Sequence, residues 1–90
     1  MQLALRRAVT ARVPRFFFHL YDDMVARDEE GQELPDEAAA WSRARVSVRE
    51  MACAEVLKGQ LNLSHRVDVR DESGTVLATV HFRDVVQIEA

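Results

Sequence analysis

The sequence predicts a single α+β domain of order ββαββ, with one long helix laid across one face of a small antiparallel sheet. Three observations carry this. Ninety residues leave room for one core. A stretch from Asp36 to Lys58 without Pro or Gly has helical periodicity. On either side of it lie short segments rich in β-branched and aromatic residues, bounded by turn residues.

The first strand is read in Arg15–Tyr21, RFFFHLY, with Pro14 at its entrance, where no ladder donor is needed. Asp22-Asp23 breaks it, and Met24–Asp28 returns as a short second strand. Glu29-Glu30-Gly31-Gln32 is a polar turn in which Gly31 takes positive φ. The helix then runs from about Asp36, as N-cap, to Lys58-Gly59, a cation followed by a left-handed cap. At 100° per residue Ala38, Trp41, Ala44, Val48, Met51, Ala52 and Val56 gather on one side, with Arg43, Ser47, Glu50 and Lys58 opposite. Beyond a loop, Arg66–Arg70 alternates charged and apolar. Asp71-Glu72-Ser73-Gly74 turns the chain into Thr75–Phe82, where Val76, Ala78, Val80 and Phe82 are expected to share a face. The expected core is Trp41, Val48, Met51 and Val56 against Phe16, Phe18, Val67, Val69, Val80 and Phe82.

Composition bounds the function. Of the residues, 48% are hydrophobic and 30% charged, as in a soluble globular domain, and no apolar run approaches the roughly 20 residues of a membrane helix. The single Cys53 excludes an intrachain disulfide and a Cys-rich zinc site, and suits a reducing, cytoplasmic location. Charge is uneven: residues 1–15 hold Arg6, Arg7, Arg12 and Arg15 and no acid, whereas residues 16–90 sum to −7. Residues 1–13 therefore read as a basic arm on an acidic domain of residues 14–90. An acidic body repels phosphate, so nucleic-acid binding would rest on that arm, assisted by the aromatic strand.

No motif for catalysis or a cofactor is present. There is no G-x-G-x-x-G, phosphate loop or H-E-x-x-H. A calcium loop centred on Gly31 would use Asp28, Glu30 and Glu37 but has Ala26 in its first position. His19, His65 and His81 lie on or beside strands without metal-ligand spacing. Ser64 and His65, as neighbours, point to opposite faces of a strand. Glu55 falls near the middle of the helix stripe, where a carboxylate is either a functional acid or a structural one. The structural reading is preferred, with the stripe rotated or Glu55 expected to reach an Arg or a backbone N–H at the sheet edge. The reading is thus of a non-enzyme with no cofactor, metal or small-molecule substrate.

The most informative feature is the first strand, apolar on both faces. If Phe16, Phe18 and Leu20 meet the helix, then Phe17, His19 and Tyr21 line a reverse face that a two-layer domain leaves uncovered. A second copy of this chain or a protein partner is the expected occupant, with an exposed strand edge as the other route to association.

Pro14–Asp22 (PRFFFHLYD), Arg27–Asp36 (RDEEGQELPD) and Val67–Phe82 (VDVRDESGTVLATVHF) together resemble a family of short bacterial proteins, domain of unknown function 6894. The resemblance covers about Pro14 to Ile88, and its most specific part is Asp28-Glu29-Glu30-Gly31 followed by Glu33-Leu34-Pro35-Asp36. It implies a small α+β domain with no catalytic residues to carry over. Proteins of this look begin at a methionine where Val13 stands here, so Met1–Arg12 is expected to be an over-called start.

Overall fold

The computed structural model describes residues 13–89. Its elements are β1 (Arg15–Tyr21), β2 (Val25–Ala26), β3 (Gln32–Glu33), α1 (Glu37–Leu57), β4 (Arg66–Arg70), β5 (Val76–His81) and a 3-10 turn, Phe82–Asp84. The sheet is antiparallel throughout, in the order β2-β1-β4-β5, with β3 also paired to β1. The predicted α+β class and helix-on-sheet arrangement are those observed. A third short strand, β3, stands at the end of the predicted polar turn, so the observed order has three strands before the helix where two are expected.

Local chemistry sets the boundaries. The Asp36 carboxylate accepts the Ala39 N–H at 2.8 Å and starts α1. At the other end Gly59, at φ 88°, lets the chain turn back, so that Lys58 and Gln60 donate to Glu55 O and Gly59 donates to Val56 O. Gly31, at φ 70°, stands where a Cβ would come within 2.8 Å of Phe16 O and 2.9 Å of the Phe17 ring. No other residue fits there without moving β1.

The helix rests on the sheet through small side chains. Ala40, Ala44, Val48 and Ala52 are buried, four residues apart, over Phe16, Val67, Val69, Val80 and Phe82. Met51 packs at the margin. The expected phase is corrected here: Ala38 is exposed, Trp41 is 46% exposed and Val56 56%. A row of alanines lets backbone approach backbone, whereas an indole in the same place would prop the helix off the sheet. Trp41 instead lies beside the contact, with the Arg45 guanidinium 4.8 Å over its ring.

A bulge corrects the second half. Val69 faces Ala78 but Arg70 faces Val76, which leaves Leu77 as the extra residue. Leu77 and Ala78 both pack against the core, and Val76 moves out to 46% exposure. The tail runs on from the 3-10 turn, tacked to the helix where Arg45 donates to Asp84 O and Arg49 to Val85 O.

Two outcomes follow. Ala44→Leu overfills the closest part of the helix–sheet contact and lowers unfolding free energy by about 1–3 kcal/mol in denaturant titration, more than Trp41→Ala does. In the β4–β5 turn the Ser73 hydroxyl, with the backbone N–H groups of Ser73 and Thr75, holds the Asp71 carboxyl below its ordinary range. That stabilisation is present above the ordinary carboxylate range and lost as pH falls through the lowered value. Asp71→Asn therefore lowers Tm at neutral pH, and the deficit closes in acid.

Candidate interaction surface

The sheet has two edges, and they are treated oppositely. On the outer side of β1, β2 pairs only with Leu20 and Tyr21, and β3 only with Arg15 and Phe16. The gap between them is filled by one side chain. Asp28 Oδ2 accepts the Phe18 N–H at 3.1 Å, and Oδ1 accepts the N–H groups of Gly31 at 3.0 Å and Glu30 at 3.3 Å. The Asp28 N–H donates to His19 Nδ1 at 2.9 Å. Arg15 ties β3 down further, donating to Glu30 O and pairing with Glu33 at 3.1 Å. The acidic stretch is thus a structural seal. Asp28, at the third position of the calcium-loop alignment, has its oxygens turned to backbone donors.

At the far edge β5 is paired on one side only, with β4. It carries no Asp, Glu, Lys or Arg and no proline. Among the described residues its outward-facing groups have one cap, the His81 N–H held by Asp84 Oδ2 at 2.7 Å. Long uncharged edges are ordinarily blunted by charge, proline or cover. The bulge disturbs one end of this one, and among the described residues the middle stays open.

Phe17, His19 and Tyr21 do share the outer face, as the alternation predicts, but that face is not a bare apolar surface. All three are half-buried. Arg66, Asp68 and Arg70 of β4 stand beside them in register. Asp68, 6% exposed, accepts the Thr79 hydroxyl at 3.0 Å and lies 3.5 Å from Arg66 Nε and 3.7 Å from Arg70 Nη2. Arg66 covers the Tyr21 ring at 4.2 Å, and Arg70 donates to the Tyr21 hydroxyl at 3.2 Å. The Arg66–Asp68–Arg70 row supplies the cover that the two-layer argument missed. Because the charged side chains alternate with Val67 and Val69, its presence was visible in the sequence; which aromatic it would shield was not.

Sequence reading also kept Glu55 and His65 apart, and the structure joins them. Glu55 accepts the Asn62 N–H at 3.0 Å and contacts His65 Nδ1 at 2.7 Å, while His65 Nε2 is 3.6 Å from Asp23. Glu55 thus reaches a backbone N–H, but in the loop before β4 and not at the sheet edge, and adds a histidine. The Phe82 ring meets the imidazole edge-on at 5.4 Å. This cluster opens onto a cavity lined also by Gln60, Leu61 and Leu63. It lacks an addressed nucleophile, since the Ser64 hydroxyl donates to Asn62 Oδ1 at 2.6 Å. His19 and His81 are on the outer face, away from His65, and no group of three or more metal-ligating side chains forms among the described residues. Cys53 is exposed. Arg6, Arg7 and Arg12 lie outside the described residues.

Removing the edge seal should be measurable directly. Asp28→Ala leaves the Phe18, Glu30 and Gly31 N–H groups without their acceptor, costs about 1–3 kcal/mol of stability and accelerates amide exchange at Phe18. Unchanged exchange at Phe18 would refute the sealing role.

No helix among the described residues is long and apolar enough to cross a membrane. No curated protein and no solved structure matches the sequence. The family model described as domain of unknown function 6894 matches residues 15–83, which takes in every strand and the helix together with the Asp28 seal. The chain belongs to the domain of unknown function 6894 family.

Proposed function

We propose that this chain is a non-catalytic protein-interaction module that engages its partner by strand addition at β5. The observation that supports this reading is the contrast between its edges. Two short strands, a carboxylate and an arginine close the outer side of β1, and among the described residues nothing comparable closes β5. Strand addition draws affinity from main-chain hydrogen bonds and specificity from flanking side chains. Phe17, His19 and Tyr21 then act as part of the rigid outer face rather than as a greasy patch. The lone thiol, Cys53, suits work in the cytoplasm. A nucleic-acid role through Arg6, Arg7, Arg12 and Arg15 has less support, because Arg15 is already engaged with Glu33 in an acidic body.

Thr79 is the residue to test. Phe82 donates inward to His65 O, so alternation along the ladder aims the Thr79 N–H outward. Thr79→Pro removes that donor at an edge, where proline is tolerated. Thr79→Val removes the hydroxyl bonded to Asp68 and keeps the donor. In affinity capture of the tagged chain from its native host, a stoichiometric partner, which includes an untagged copy of the chain itself, is expected with wild type and Thr79→Val. With Thr79→Pro it falls by about tenfold, the effect of losing roughly one interface hydrogen bond. A chain recovered alone, or a partner indifferent to the proline, overturns the proposal.

A further inference from the structure

Resting on the strand-addition reading, we infer that the occupant of the β5 edge is a second copy of this chain, paired antiparallel about a two-fold axis close to Thr79. The hydrogen-bond pattern locates the axis. His81 shares the outward direction of Thr79, but its N–H is spent on Asp84. At the other end Leu77 is displaced by the bulge. The open groups are therefore centred on Thr79, whose N–H and C=O can exchange two hydrogen bonds with those of its own counterpart.

Charge selects this partner over an arbitrary strand. Near the Val76 end of β5 the exposed Glu37 borders the groove formed by Trp41, Leu77 and Ala78. Near the His81 end stand the exposed Arg83 and the half-buried Arg45, which reaches Asp84 O. Asp84 at that end is occupied as the cap of His81. An antiparallel two-fold arrangement sets the Val76 end of each copy beside the His81 end of the other, so Glu37 faces Arg83 and Arg45 across the junction, two cations against the single carboxylate of Asp84. The axis runs normal to the sheet, which keeps both helices on one side and lets the exposed Trp41 cover the partner's turn after β5. One short strand and one indole bury less than the ~1,200 Å² of a standard interface, so the dimer is a weak one, with dissociation in the micromolar range.

Sedimentation equilibrium of the purified full chain, across micromolar to submillimolar concentration, reads the stoichiometry. The expected result is a concentration-dependent rise from 10.3 kDa toward twice that mass. Glu37→Arg weakens the association about tenfold, and adding Arg83→Glu to it restores the wild-type constant. Thr79→Cys in a Cys53→Ser background gives a covalent dimer with a short bismaleimide, while wild type, with exposed Cys53 alone, does not. A strict monomer overturns the inference. So does a dimer that fails to cross-link at Thr79 and ignores the charge reversal. The module reading stands or falls separately: a monomer that retains a different protein through Thr79 keeps it, and one that retains nothing loses both.

Discussion

The carboxylate of Asp28 is the constraint on which the sheet depends. β1 is the strand that every part of the sheet on its side must use, yet its outer neighbours β2 and β3 are two residues each and touch only its ends. Left alone, the middle of β1 would present unpaired N–H and C=O groups beside half-buried phenylalanines. Asp28 meets that demand with two oxygens shared among three N–H donors, and it returns its own N–H to His19. The His19 ring must then accept at Nδ1, which leaves the proton on Nε2. One side chain thereby closes an edge, shapes the turn over Gly31 and fixes a tautomer. A glutamate, one methylene longer, would not keep its oxygens against both the Phe18 and Gly31 amides at the same backbone position.

The contrast with β5 follows from where the acids sit. The stretch from Asp22 to Glu37 holds eight carboxylates, and read as composition it suggests a cation site or a solvated face. In the structure its members serve as acceptors for main-chain donors: Asp22 for Met24, Asp28 for the β1 edge, Asp36 for the helix start. Outside the stretch, Asp71 does the same for the hairpin turn and Asp84 for the end of β5. Acidity here organises backbone. The segment of β5 that lacks such an acceptor among the described residues is the segment proposed as the site of intermolecular pairing.

Features set by near neighbours were legible in the sequence. Asp36 and Gly59 marked the helix ends, Gly31 marked the positive φ, and Asp71 to Gly74 marked the hairpin. Those depend on residues within a turn of each other. The phase of the helix was not legible, because hydropathy ranks Trp41 and Val56 above Ala40, whereas contact with a sheet favours the smallest side chain at the closest approach. The Leu77 bulge left no mark, since VLATV alternates acceptably in either register. Glu55 was correctly suspected of bonding to backbone, but its pairing with His65 needs the chain to return ten residues later from a loop. The motif around Asp28 stood out for its specificity, and sequence could not say that its carboxylate would replace a strand.

The outer face gives the last link. Burying Asp68 between Arg66 and Arg70, on a sheet face that no second layer of the described residues covers, gains little stability by itself, since desolvation offsets much of the attraction. It does forbid alternatives. A one-residue slip of β4 would drive Asp68 and an arginine into the space held by Val67 and Val69, under the helix. Such a slip costs several kcal/mol in unpaired buried charge. Register against β5 is thus held from the polar side as firmly as from the apolar one, with the Thr79 hydroxyl as the connecting bond. With that register fixed, Thr79 turns the same backbone groups outward from β4, which gives the proposed strand addition a defined register.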